Sequence, residues 1–95
     1  MKYENEFRDW LKQRTQYTDA VIGDIVSRVK RADCILPIYE DEVYQFYLER
    51  TDKYKSLSAS VRSQLKKSLS LFYAFLHETK NHHKNNYFKK VLSDA

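Results

Sequence analysis

Glycine and proline, the residues that most often interrupt regular structure, occur once each in this 95-residue chain, as Gly23 and Pro37. A sandwich or barrel of short strands needs many more turn-forming residues, so their scarcity argues against both architectures and favours helices. A chain of this length accommodates one domain with a modest hydrophobic core. We therefore expect a single all-α domain over residues 1–95.

Apolar residues recur at helical spacing in five segments, which are separated by polar breaks. Thr18 and Ser58 precede the second and fourth segments, and both residue types favour the N-cap position of a helix. The acidic run at 40–42 is expected to begin the third helix, because carboxylates stabilise the positive end of the helix dipole. A polar stretch, KNHHKNN, is expected to separate the fourth helix from a short fifth helix. The predicted helices span about 2–14, 19–35, 40–51 and 59–79, followed by the short one containing Tyr87, Phe88, Val91 and Leu92.

Three residues of the second helix carry structural expectations of their own. Gly23 costs roughly 1 kcal/mol relative to Ala inside a helix, so we expect a closely packed neighbour beside it, with a functional kink as the alternative. Asp33 is expected to pair with a nearby base or to cap a loop. Cys34, the single cysteine, is expected to be a small buried residue.

The basic character of the chain is concentrated in its second half. Residues 1–50 contain 8 Lys and Arg against 10 Asp and Glu, whereas residues 51–95 contain 9 against 3. The net charge is therefore −2 in the first half and +6 in the second, which favours an anionic partner for the second half.

Two helices are predicted to present basic outer faces. On the fourth helix, lysines alternate with small serine hydroxyls opposite a stripe that includes Val61, Leu65 and Leu69, and no carboxylate follows until Glu78. Lysine can neutralise phosphates, serine can donate hydrogen bonds to them, and arginine can contact guanine with two hydrogen bonds. The predicted DNA-binding residues are Ser27, Arg28, Lys30 and Arg31 on the second helix, and Arg62, Ser63, Lys66, Lys67 and Ser70 on the fourth.

Three segments together carry a resemblance to a known family. They read FRDWL in the first helix, YTDAVIGDIVSRVKRADCIL around the second, and LSASVRSQLKKSLSLFYAFL around the fourth. Over roughly residues 5–78 the chain resembles the N-terminal core-binding domain of tyrosine recombinases, the phage integrases. In that domain a Ser or Thr opens the second helix, as Thr18 is expected to do here. An aromatic pair also ends the long helix, which is matched here by Phe72, Tyr73, Phe75 and Leu76.

The resemblance implies a SAM-like orthogonal bundle of four to five helices that clamps one side of duplex DNA, mainly through the DNA backbone. In the family, a separate C-terminal domain cuts and rejoins the DNA strands, and we expect no such domain within residues 1–95. The implied function is non-enzymatic DNA binding in integration and recombination, without a cofactor or a small-molecule ligand. The expected partners are double-stranded DNA and other recombinase protomers.

A different class of function stays open beside DNA binding. The chain is rich in aromatic residues, and an exposed aromatic patch would mark a small helical protein-interaction module, with a homodimer as one form of it. The tyrosines expected in that patch are Tyr39, Tyr44, Tyr54 and Tyr87.

Metal binding and membrane insertion are both disfavoured by the sequence. His77, His82, His83 and Cys34 lack the paired spacing that is typical of zinc ligands, so we predict no metal site. Apolar runs are far shorter than the ~18 residues that a membrane span needs. A lone cysteine is typical of a reducing compartment, so the cytoplasm is the expected location.

Overall fold

The fold is described from a computed structural model, which covers residues 1–39, 41 and 43–94, with side chains described as far as residue 79. Five α-helices follow one another along these residues, and no strand occurs among them. The helices are α1 (Glu4–Arg14), α2 (Asp19–Ile35), α3 (Val43–Leu48), α4 (Asp52–Lys55) and α5 (Ala59–Asp94). The prediction of a small all-α bundle is confirmed.

Two predicted helix starts are confirmed by their capping hydrogen bonds. The Thr18 hydroxyl accepts a hydrogen bond from the Val21 amide at 3.3 Å, at the start of α2. The Ser58 hydroxyl accepts one from the Val61 amide at 3.2 Å, before α5. Each cap satisfies an amide that has no partner inside its own helix, which fixes where the helix begins.

The core forms where α1 and α2 pack against α5 and against each other. The buried stripe of α2 agrees with its sequence periodicity, and so does that of the first five turns of α5. An aromatic cluster joins α1 to α5, in which the rings of Phe7 and Phe72 meet edge to face at 5.1 Å. The core residues of these three helices are Phe7, Leu11, Ile22, Ile25, Val26, Val29, Ala32, Leu65, Leu69, Phe72, Tyr73, Phe75 and Leu76.

A polar contact also holds α1 to α5. The indole Nε1 of Trp10 donates a hydrogen bond of 2.9 Å to Oε2 of Glu78. Arg14 forms an ion pair with the other oxygen of the same carboxylate. Glu78 is therefore directed towards α1 rather than towards the lysines of its own helix.

The short helix α3 buries a different face from the one that the sequence predicts. Val43, Phe46 and Tyr47 were expected to face the core, but they are 47%, 51% and 52% exposed, and Tyr44 and Leu48 are fully buried instead. A six-residue helix offers too few turns for periodicity to select one face, so the tertiary contacts of Tyr44 decide its rotation.

Those contacts join α3 to the end of α2. The Tyr44 hydroxyl lies 2.6 Å from the Leu36 carbonyl oxygen, to which it donates, and 3.0 Å from that of Ala32. Its ring packs edge to face on Tyr39, with the centroids 5.3 Å apart. Burial raises the pKa of the Tyr44 phenol well above its usual range, and the neighbouring Tyr73, Asp33 and Tyr39 act in the same direction.

Two helix boundaries differ from the prediction, one at the segment that contains α4 and one at the end of α5. The stretch TDKYKSLS, read as a connector, contains the short helix α4, which Thr51 caps by accepting a hydrogen bond from the Tyr54 amide. The predicted break at KNHHKNN is wrong, because α5 continues through it to Asp94. Asn and His lower helix propensity only modestly, and no Gly or Pro lies there to end the helix. The predicted contacts of Tyr87, Phe88, Val91 and Leu92 lie outside the described side chains.

Two expectations for α2 are wrong and one is confirmed. A Cβ added at Gly23 would meet no atom within 4 Å, so no closely packed neighbour requires the glycine. Cys34 is exposed rather than buried, because it lies on the solvent side of the helix. Asp33 does cap the following loop, since its Oδ1 accepts a hydrogen bond of 2.9 Å from the Ile38 amide.

Candidate nucleic-acid interface

The outer face of α5 is exposed, and it carries the residues that the sequence assigns to it. Burial of Leu65, Leu69 and Phe72 fixes the rotation of the helix about its axis. The side chains on the opposite side are therefore directed to solvent. The exposed members of this face are Ser63, Lys66, Lys67, Ser70 and Ala74.

Few carboxylates compensate the positive charge of this face. Glu78 is the one acidic residue among the described side chains of α5, and its carboxylate is taken by Trp10 and Arg14 of α1. Lys67 forms no ion pair with any carboxylate in the described part of the chain. Lys66 has a distant partner: its Nζ lies 3.9 Å from Oε1 of Glu49, and its side chain is 64% exposed. A pair at that distance and exposure contributes little, so the lysine remains available to an anion.

A shallow groove runs beside this face, between α4 and the start of α5. It is bordered by Arg62, Ser63 and Lys66 on one side and by Glu49 and Tyr54 on the other. The Tyr54 hydroxyl donates a hydrogen bond of 3.2 Å to the Arg62 carbonyl oxygen, which ties α4 to α5. Burial raises the pKa of Tyr54; a hydrogen bond with Gln45 and the charge of Arg62 oppose the rise, and the charge of Glu49 adds to it. We call this the Arg62 groove.

Arg62 is only partly exposed, and its Nε is buried without a hydrogen-bond partner among the described residues. A buried polar donor without an acceptor is costly and uncommon in folded proteins. The sequence placed Arg62 at the edge of the basic face, but it did not identify Glu49 and Tyr54 as neighbours. These two residues lie in a different part of the chain, and only tertiary packing brings them to α5.

Ser70 is less suited to donate a hydrogen bond to a phosphate than the sequence suggests. Its hydroxyl donates a hydrogen bond of 3.0 Å to the carbonyl oxygen of Lys66, one turn earlier in the same helix. A serine that bonds back to its own helix has its proton engaged and is a poorer donor to a phosphate. Ser63 makes no such bond among the described residues, so it is the better hydroxyl donor on this face.

The predicted residues of α2 lie on a different helix from the Arg62 groove. Ser27, Lys30 and Arg31 are exposed and Arg28 is half-buried, and α2 packs on α5 through its buried stripe. The groove brings together Arg62, Ser63 and Lys66 of α5, and no described α2 residue borders it.

Lys30 also has a close partner of its own. Its Nζ lies 3.0 Å from Oε1 of Glu4 on α1. The hydrogen bond with Lys30 lowers the pKa of the Glu4 carboxyl, and the nearby charges of Lys30 and Arg8 act in the same direction. Among the predicted α2 residues, Lys30 is thus the one whose charge is paired with a carboxylate of the described residues.

Other kinds of site find little support in the described part of the chain. No three His, Cys, Asp or Glu side chains converge there in a way that could hold a metal ion, and His82 and His83 lie outside the described side chains. No helix within the described residues combines the length and the apolar character that crossing a bilayer requires. Comparison of the chain with protein-family models, with curated proteins and with solved structures finds no match.

Proposed function

We propose that this domain binds duplex DNA through the outer face of α5, and that it serves DNA integration or recombination without catalysing strand cleavage itself. The observation that carries the proposal is the exposed, largely uncompensated charge of Lys66 and Lys67 next to the Arg62 groove. The sequence resemblance to the core-binding domain of tyrosine recombinases supports the same assignment.

The chemistry of this face suits the DNA backbone better than the base edges. Lys66 and Lys67 are point charges on flexible stems, which neutralise phosphates without requiring one orientation. Arg62 lies one helical turn before Lys66, a rise of about 6 Å along the axis. Contacts of this kind position a protein on DNA and bind many sequences with similar affinity. The α2 residues Ser27, Arg28 and Arg31 are expected to contribute less, because they do not border the Arg62 groove.

The test is the salt dependence of binding to a duplex about 20 bp long, measured by fluorescence anisotropy of a labelled DNA. Each phosphate contact that is removed should reduce the slope of log K against log salt by about 0.9. We expect Lys67→Ala to reduce both the affinity and the slope. The matched control is Lys12→Ala, which removes the same charge from an exposed position at the end of α1.

Two results would count against the proposal. One is the absence of binding to any duplex at low salt. The other is an equal loss of affinity in Lys12→Ala and Lys67→Ala, since that would reflect net charge rather than a contact surface. Arg31→Ala, at an exposed position of α2, tests the α2 residues separately, and we expect it to change the salt slope less than Lys67→Ala does.

A second candidate is a protein-interaction module, and the structure changes the patch on which it rests. Tyr44 and Tyr54 of the expected patch are buried, Tyr39 is 38% exposed, and Tyr87 lies outside the described side chains. The apolar residues that α3 exposes are Val43, Phe46 and Tyr47. If this face joins two copies of the chain, sedimentation should detect a concentration-dependent dimer, which Phe46→Asp abolishes. A monomer at every concentration excludes the homodimer.

A further inference from the structure

The Arg62 groove contains cations, a hydroxyl and one opposing carboxylate. Arg62 and Ser63 are adjacent in one turn of α5 and Lys66 lies in the next turn, whereas Glu49 comes from the turn that follows α3. Oε1 of Glu49 faces Nζ of Lys66 at 3.9 Å and also accepts a hydrogen bond of 3.2 Å from Nε2 of Gln45. Its carboxylate is therefore held at the edge of the groove by a neighbour from its own helical segment.

We propose that the Arg62 groove binds one phosphate group of the DNA backbone, and that Glu49 competes with this phosphate for the groove. The inference deepens the proposed function and rests on it. The phosphate would contact the guanidinium of Arg62, the hydroxyl of Ser63 and the ammonium group of Lys66. In the wild-type protein Glu49 then weakens DNA binding, because its negative charge remains beside the phosphate.

The buried Nε of Arg62 supports a ligand with paired oxygens. A guanidinium binds phosphate most favourably through two parallel hydrogen bonds, one of which Nε can supply. In the described part of the chain this donor has no acceptor. Because Nε is also shielded from solvent, a phosphate oxygen can accept from it only after the Arg62 side chain turns further into the groove, and that contact would supply the missing acceptor.

The position of Glu49 explains why the groove is not simply a strong anion site. Like charges within a few ångströms repel, and the repulsion is larger beside a partly buried groove than in open solvent. Phosphate binding replaces the weak 3.9 Å pair between Lys66 and Glu49, while the hydrogen bond from Gln45 keeps the Glu49 carboxylate at the edge of the groove. The groove is thus open to phosphate, and the nearby carboxylate reduces its affinity.

The first experiment compares Glu49→Gln with Glu6→Gln in binding to the same duplex. Both substitutions remove one negative charge, but Glu6 is an exposed residue of the first turn of α1. We expect Glu49→Gln to tighten binding by roughly threefold to tenfold, and Glu6→Gln by less than about twofold. Equal changes in the two variants would overturn the proposed competition, as would no change in Glu49→Gln.

The second experiment separates the phosphate site from DNA binding. Nuclear magnetic resonance reports the Nε–Hε signal of Arg62 while inorganic phosphate is added, and sodium chloride at the same ionic strength is the control. We expect phosphate, but not chloride, to shift this signal, more strongly in Glu49→Gln. If the duplex binds and neither phosphate nor duplex shifts the signal, the groove proposal is wrong and the proposed function stands. If phosphate shifts the signal but no duplex binds, the groove is a site for free phosphate and the proposed function fails.

Discussion

Nε1 of Trp10 donates a hydrogen bond of 2.9 Å to Oε2 of Glu78, across a separation of 68 residues in the chain. The contact closes the aromatic cluster between α1 and α5, because the indole also stacks on Phe7 with the ring centroids 6.3 Å apart. The contact also affects the charge of the α5 surface, because it directs Glu78, the one described acidic side chain of α5, away from the lysines of that helix.

We predict that Glu78→Ala lowers the free energy of unfolding by about 1–2 kcal/mol, because the indole N–H and Arg14 both lose a charged acceptor. Glu78→Gln keeps an oxygen for the indole and should lose about half as much. Urea unfolding followed by the fluorescence of Trp10, the single tryptophan, measures both variants. Glu6→Gln is the control, and a loss in Glu78→Ala no larger than the control's would contradict the role given to this contact.

Tyr44→Phe should destabilise the fold by about 1–2 kcal/mol, because it removes the hydroxyl that donates to the Leu36 carbonyl at the end of α2. The ring and its packing are kept, so the loss isolates the hydrogen bond. Tyr47→Phe removes a hydroxyl from an exposed tyrosine and should change stability by less than about 0.5 kcal/mol. Urea unfolding midpoints of the two variants measure the difference, and similar values would contradict the contribution of the hydrogen bond between Tyr44 and Leu36.

The raised pKa of Tyr44 predicts a loss of stability in alkali. Above its usual value of 10.0 the unfolded chain releases the phenolic proton while the folded chain retains it, so the folded state binds more protons. Stability is therefore unaffected below that pH and falls as the pH rises beyond it. Urea midpoints measured from about pH 8 upwards should show the fall, and Tyr44→Phe should make it smaller. Tyr39 and Tyr54, whose pKa values are also raised, account for part of the fall in stability that remains in Tyr44→Phe.

The ion pair between Glu4 and Lys30 predicts the opposite dependence in acid. The pKa of Glu4 is lowered in the folded state, so its contribution is present above its usual value of 4.5 and is lost as the pH falls through the folded value. Lys30→Gln should therefore reduce stability at neutral pH, and its effect should shrink as the pH falls through the folded-state pKa of Glu4, because the carboxyl then becomes protonated in both states. A loss of equal size at neutral pH and in strong acid would contradict the pairing.

Gly23→Ala should stabilise the domain by roughly 0.5–1 kcal/mol. A Cβ at this position meets no atom within 4 Å, so alanine gains helix propensity without a steric cost. The matched reverse change is Ala74→Gly, at an exposed position inside α5, which should cost a similar amount. Thermal unfolding of both variants is the measurement, and a destabilised Gly23→Ala would contradict the open space beside this position.

How far the sequence predicts the fold depends on the length of each helix. In α2, a capping Thr18 and four turns of apolar spacing were enough to define both ends of the helix. In α3, Val43, Phe46 and Tyr47 are spaced as a buried stripe, and so are Tyr44 and Leu48. Local spacing cannot choose between them, and the carbonyl of Leu36, eight residues from Tyr44, makes the choice.

The candidate site shows the same division between local and tertiary information. The exposure of Lys66 and Lys67 follows from the periodicity of α5 alone. Glu49 and Tyr54 were not identified, because their position beside Arg62 depends on how the short helices α3 and α4 fold back along α5. Whether the basic faces of α2 and α5 share one surface does not follow from the sequence either, because periodicity fixes each face only relative to its own helix.

The exposed thiol of Cys34 has a practical consequence for every measurement of association. It is the single cysteine of the chain and it is accessible to solvent, so two molecules can crosslink through it under oxidising conditions. Such a covalent dimer would join two α2 helices and leave the α3 face uninvolved. The same thiol accepts one maleimide dye per molecule, which provides a fluorescent reporter on α2 that is not part of the Arg62 groove lining.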